Sequence, residues 1–268
     1  MKRTCRYVPL SKQPLVLVLC QVRFSPVRKM SDYISSIQET FRRHGYPLEK
    51  AGKVQQISIT PAGVQGAEQH RWEYLTKDEQ RSILVQQDMV VLQTTSYDKF
   101  EEFAEQLRLA VGTVLSETEH DKLGIIQRIG LRYVDLVQPD PGQDYRFYLR
   151  RGLHGVSDEV FTPGTHRLHI ESVGKTEVGD TPGTMIVRVV QNDQGIDLPP
   201  DLVGGAPKHT SKARAGELST LIDMDHFIEG KYDPNVDWIL DKAYTLHDHL
   251  VETFHENVVT KEAVEVWK

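Results

Sequence analysis

Two arginines separated by one intervening triplet stand in the stretch Ile125–Asp135, IIQRIGLRYVD, with Gly130 midway between Arg128 and Arg132. Strict alternation predicts a half-buried strand with Ile129, Leu131 and Tyr133 on one face and Arg128, Gly130 and Arg132 on the other. A guanidinium presents a planar fork of donors that matches a carboxylate or a phosphate, and a glycine between two forks leaves the backbone open to close approach. Arg23, in Val22-Arg23-Phe24, occupies a similar alternating run. If Arg23, Arg128 and Arg132 share a sheet face, together they could read an anion or a partner surface. The plainer expectation is that they pair with Asp135, Glu171 or other acids as structural ion pairs.

Asp223 and Asp225, in LIDMDHF, point the same way if that segment is a strand. Two carboxylates with arginines nearby suffice chemically for divalent-ion-assisted phosphodiester hydrolysis. His226 then faces the opposite side, so a third ligand is missing and no metal is assigned. His247, His249 and His255 crowd the C-terminal region, yet at about 100° per residue no two lie close on one helix face. His247 falls near the apolar stripe and reads as a packed histidine. Gly174-Lys175-Thr176 lacks the upstream glycine of a phosphate loop, because His169 stands there, and it reads as a hairpin turn. Lys208, His209, Lys212 and Arg214 place four basic or titratable groups within seven residues, either as a docking segment for phosphate or as a solvated loop. Nucleophile-elbow, zinc-finger, paired CxxC and Rossmann patterns are missing, and no cofactor is expected.

The elements that must position these residues follow from periodicity. Leu15–Phe24 reads as a first strand, and Ser31 as the cap of a helix carrying Ile34, Ile37 and Phe41, with Gly45 as its left-handed terminator. Val54–Thr60, Gln69–Thr76, Arg81–Gln87 and Met89–Thr95 read as a meander of short strands. Asp98 with Glu101 matches a capping box before the stripe Phe100, Phe103, Leu107, Val111 and Val114. The order then restarts with the arginine strand over 125–138, a short helix around Tyr145–Arg150, strands near 165–173, 184–192 and 217–225, and a last helix with Asp233 as cap and Pro234 in its first turn. Its stripe is Val236, Ile239, Ala243, Leu246, Leu250 and Phe254. The fold class expected is α+β: an antiparallel sheet with helices on one side, built from two strand-helix-meander-helix units over 1–122 and 123–268, or from one continuous domain. This order is similar to the saddle of the TATA-binding-protein fold, an analogy of element order only. Asn192–Gly216, rich in proline and glycine, reads as a long mobile loop in the second unit.

Composition narrows the classes further. The 268 residues are 39% hydrophobic and 26% charged, which suits a globular protein with a sizeable core. With 38 acidic against 32 basic side chains, non-specific affinity for duplex DNA is not expected. Only Cys5 and Cys20 are present, too few for a disulfide framework, so a reducing cytoplasmic compartment is expected. Leu15–Cys20 is too short for a membrane span, and Pro14, Leu19 and Arg23 argue against a lipoprotein signal.

Several of these segments taken together carry a resemblance: Val22-Arg23-Phe24 with Pro26, Tyr97 before the Phe100 helix, Arg128-Ile129-Gly130-Leu131-Arg132-Tyr133, Asp223-Met224-Asp225, and Leu246-His247 followed by Phe254 and Trp267. From about residue 14 onward the chain resembles a sporadically distributed family of uncharacterised bacterial proteins. Asp135 departs from that pattern, which has asparagine shortly after the tyrosine. The resemblance implies no activity. Patchy distribution of the family implies a role beside other proteins, as an accessory subunit of a phage-defence or toxin-antitoxin-like system. The expectation is therefore a non-catalytic binding or assembly protein, with a protein partner and Arg23, Arg128, Gly130, Arg132, Lys208, Lys212 and Arg214 at its contact surface. Nucleic acid or a second copy of the chain stand as further partners. The alternatives are a metal-dependent nuclease or nucleotide-processing enzyme built on Asp223 and Asp225, and a nucleic-acid binder.

Overall fold

Alternating apolar and polar residues in β1 (Leu15–Phe24) put Val18, Cys20, Val22 and Phe24 on one face and Leu19, Gln21 and Arg23 on the other. The same logic repeats through β2 (Leu48–Thr60), β3 (Gly63–Leu75), β4 (Arg81–Gln86), β5 (Met89–Thr94), β6 (Ile126–Val137), β7 (His169–Val178), β8 (Thr181–Asn192) and β9 (Ser219–Tyr232). These nine strands form one antiparallel sheet in the order β2-β3-β4-β5-β1-β6-β9-β8-β7. The structure, a computed structural model, describes residues 7, 10–60, 63–140, 142–155, 160, 162, 169–203, 205, 207–209 and 213–268, without the side chains of 53–60, 63–68 and 203.

Helices α1 (Met30–Arg43), α2 (Phe100–Glu117), followed by the single turn α3 (His120–Leu123), and α5 (Val236–Thr253) lie on one side of the sheet, as expected. Ile37 and Phe41, Phe103, Leu107 and Val111, and Ile239, Leu246 and Leu250 pack in a single core with Val22, Ile129, Leu131, Met224 and Ile228. Among the described residues, no helix is long and apolar enough to cross a membrane. The opposite sheet face is open and largely polar, with a smaller apolar cluster of Leu17, Val134, Leu136, Leu198 and Leu221. At the centre of the sheet β1 pairs with β6, so the sheet runs continuously across the boundary between the two expected units.

Among the described residues, the elements after Gly124 do not repeat the order of those before it in full. Where a helix was expected around Tyr145–Arg150 there are two 3-10 turns, Tyr145–Phe147 and Arg151–Leu153. The backbone between them is committed elsewhere, since Arg150 N donates to Val258 O and Leu149 bridges to Val259. Three caps also differ. The α1 cap position is Lys29, with Ser31 inside the helix, and the α2 cap position is Lys99 rather than Asp98, neither with a side-chain hydrogen bond. For α5 the cap is Asn235, whose side-chain oxygen accepts from Trp238 N, and Asp233 and Pro234 precede it. Gly174-Lys175-Thr176 lies within β7, because the β7–β8 turn is made at Gly179, whose φ of +66° suits glycine.

The segment after β8, expected to be a mobile loop, is anchored over the open sheet face at several described points. Leu198 is buried beside Leu17 and Val134, and Pro200–Val203 forms a helical turn, α4. Gly205 O accepts hydrogen bonds from Gln93 and Arg71, and Lys208 N donates to Glu79 O. Apolar anchors inside a proline- and glycine-rich stretch account for the difference. The chain closes with a π-turn at Phe254–Val258 and α6 (Lys261–Trp267).

Candidate functional site

The three strand arginines do share the open face, and each faces a carboxylate. Arg23 lies opposite Arg128 in the β1–β6 register and pairs with Asp88 at 2.9 Å. Arg128 bonds Asp225 at 3.1 Å and Glu229 at 3.0 Å, and its guanidinium sits 3.6 Å from the centre of the Phe227 ring. Arg132 grips Asp223 with two bonds of 2.6 and 2.8 Å and Asp201 with two of 2.6 and 3.2 Å. Arg188 on β8 links the same Asp223 to Glu171. Gly130 has a local reason: a Cβ there would stand 3.3 Å from Arg128 Nε and Nη2 and from Phe227 Cβ. The close approach that glycine permits is therefore made by the chain's own Arg128.

Asp223 and Asp225 point to the open face with the arginines, and His226 points to the helices. Burial raises the Asp225 carboxyl above its usual range, against the pull of Arg128 and Arg132. His226 is fully buried between Thr176 and the Leu246 carbonyl, and burial pushes it down to about 4, so it is neutral. Among the described residues, no group of three or more His, Cys, Asp or Glu is placed to hold a metal ion. The basic segment divides: Lys208 is exposed, His209 pairs with Asp197 at 3.2 Å and Arg214 with Glu217 at 3.1 Å. Lys212 lies outside the described residues.

A different site forms where the sheet meets α2 and α5. Tyr133 and Asp135 keep the parity of Ile129 and Leu131, so both face the helices rather than the arginines. They line a cavity of about 290 Å3 with His247 on α5, Tyr97 in the loop before α2, and Phe100 and Phe254. His247, Val251 and Phe254 line it from one stripe of the last helix and its π-turn. Asp135 does not serve the arginines as the sequence suggested. An acid two residues after Tyr133 must turn its back on Arg128 and Arg132.

The polar groups of this pocket are unequal. Tyr133 Oη lies 2.7 Å from His247 Nδ1 and 3.3 Å from Tyr97 Oη, and the His247 ring stacks on Phe100 with centroids 4.1 Å apart. Gln13 donates to the Tyr97 carbonyl and holds that loop. Burial drives His247 down to about 4, so its imidazole is neutral. Asp135 is only 4% exposed and, among the described residues, its carboxyl has no hydrogen-bond partner. Burial alone pushes it up to about 8, so it keeps its proton at neutral pH. Buried polar groups are ordinarily paired, and a carboxyl left unpaired on a cavity wall is the group best placed to meet a ligand. A neutral carboxyl donates and accepts, and its ionised form balances a cation. The hydroxyls beside the neutral His247 are phenols, and the described cysteine, Cys20, is buried with its thiol pushed up to about 12.

Compared with known proteins, the chain matches no family model and no curated protein.

Proposed function

We propose that this protein is a non-catalytic binding protein whose ligand is read in the pocket between β6, α2 and α5. The observation that carries this reading is Asp135, a buried carboxyl on a cavity wall with no hydrogen-bond partner among the described residues. The arginine face supports recognition less directly. Its guanidinium groups are already neutralised by Asp88, Asp225, Glu229, Asp223 and Asp201, so a phosphate or nucleic-acid backbone would have to displace carboxylates. A nuclease would likewise need Asp223 and Asp225 to leave their arginines for a metal ion. Each half opens on a central strand, β1 or β6, beside which its later strands line up in reverse chain order, four beside β1 and three beside β6, and this supports reading the two halves as saddle-like units, with the first helix of the second unit replaced by 3-10 turns. An accessory role in a defence or toxin-antitoxin-like system rests on the family resemblance and is the setting in which such a binding protein would act.

The test is ligand-observed NMR with a panel of small cations, anions and neutral compounds on the wild type and on Val251→Trp, which places an indole in the cavity. At least one class binds the wild type and is lost in Val251→Trp while the fold, followed by circular dichroism, is kept. Absence of binding, or binding indifferent to Val251→Trp, overturns the reading.

A further inference from the structure

Resting on the pocket as the reading site, we propose that its ligand is a small organic amine bound as the ammonium ion, with Asp135 as counter-ion. A carboxyl at 4% exposure with no hydrogen-bond partner among the described residues lacks the partner that a buried acid normally keeps. Among the described residues, the buried groups lining the cavity beside it do not supply a cation. Tyr133 on β6 and Tyr97 before α2 carry no positive charge, His247 on α5 is neutral, and burial lowers His255, which lines the cavity from the turn after α5. Lys99 is exposed at the mouth, where Asp98 and Glu101 outnumber it. The N-terminus of α2, which by itself would favour an anion, is offset by Glu101 and Glu102 in its first turn.

The walls fit the same ligand. Tyr97, Phe100, Tyr133 and Phe254 contribute aromatic rings, which attract ammonium groups through their negative faces and cover the hydrocarbon part of an amine. A cavity of about 290 Å3 takes a compact molecule rather than a peptide. The step on binding is balanced: the ammonium ion enters, Asp135 releases its proton to solvent, and the carboxylate pairs with the ammonium. The proton and the amine therefore compete for one site. Affinity falls about tenfold per pH unit below the Asp135 midpoint and levels off above it.

The experiment is titration calorimetry on the full chain with three probes of one shape: benzylamine, benzyl alcohol and benzoate. Measurements near pH 7 in phosphate and in Tris, whose ionisation heats differ, count the protons released. Benzylamine is expected to bind with release of nearly one proton, with at least tenfold weakening and no proton release in Asp135→Asn, and with loss in Val251→Trp. Benzylamine binding without proton release from the wild type overturns the proposal, whatever the variants do. If benzyl alcohol or benzoate binds in a Val251→Trp-sensitive way and benzylamine does not, the amine is wrong and the pocket reading survives. If none of the three binds, the amine proposal falls, and the broader panel on Val251→Trp decides the pocket separately.

Discussion

Replacing Asp135 by Asn should stabilise the protein at neutral pH, and the gain should vanish in acid. The carboxyl moves from an ordinary value of 3.8 to about 8 on folding because burial penalises its charge. Below the ordinary value both states hold the proton and nothing is lost. Between the two values the unfolded chain gives up a proton that the folded chain retains, so stability falls as pH rises, by about 1.4 kcal/mol per unit. At pH 7 the accumulated penalty is about 4 kcal/mol. Asparagine has nearly the same shape and no proton to lose, so near pH 4 it differs from the acid by only about 1 kcal/mol, the difference between two buried neutral polar groups. Urea unfolding of wild type and variant at several pH values between 4 and 8 measures the difference directly. A difference that climbs with pH and reaches several kcal/mol supports the reasoning. A difference that stays flat refutes it, because lost packing or a lost hydrogen bond carries no such pH dependence.

Arg132→Met should cost about 3–5 kcal/mol, since Asp223, with 3% of its side chain exposed, would keep only Arg188 at 3.3 Å. A loss below about 1 kcal/mol in urea unfolding would mean that the pair behaves as a solvated one. Gly130→Ala should cost about 1–2 kcal/mol by crowding Arg128 and Phe227, and an alanine tolerated without loss would contradict the close approach. His226 and His247, both held near 4 against an ordinary 6.5, give the opposite pH trend to Asp135. Each binds a proton more readily when unfolded, so stability is lost as pH falls from about 6.5 towards 4, by about 2–3 kcal/mol per histidine at pH 4.5. His247→Phe should flatten its share of that acid loss in urea unfolding, and an unchanged slope would show that His247 is solvated.

The bounds of β1, the arginine face and the helical stripe of α2 were legible because each depends on local alternation or periodicity. The caps were less so: Ser31, Asp98 and Asp233 are of the right type, but the turns before each helix place Lys29, Lys99 and Asn235 at the cap position. The pocket was half written in the sequence. Asp135 shares parity with Ile129, Leu131 and Tyr133, and an acid on an apolar face is the signal that could have singled it out. Nothing local reveals that Tyr97 and His247 converge on it, because they come from chain segments that only the packing of α2 and α5 against β6 brings together. The arginine chemistry was open for a similar reason. Asp201 reaches Arg132 from the segment over the sheet, a long-range contact without a sequence motif.

The most direct measurement is a 13C NMR titration of the Asp135 side-chain carboxyl, assigned through Asp135→Asn, with and without benzylamine. The account predicts a midpoint near 8 in the free protein, moving down by a unit or more when the amine is present. A midpoint in the ordinary carboxylate range, unmoved by the amine, would contradict it.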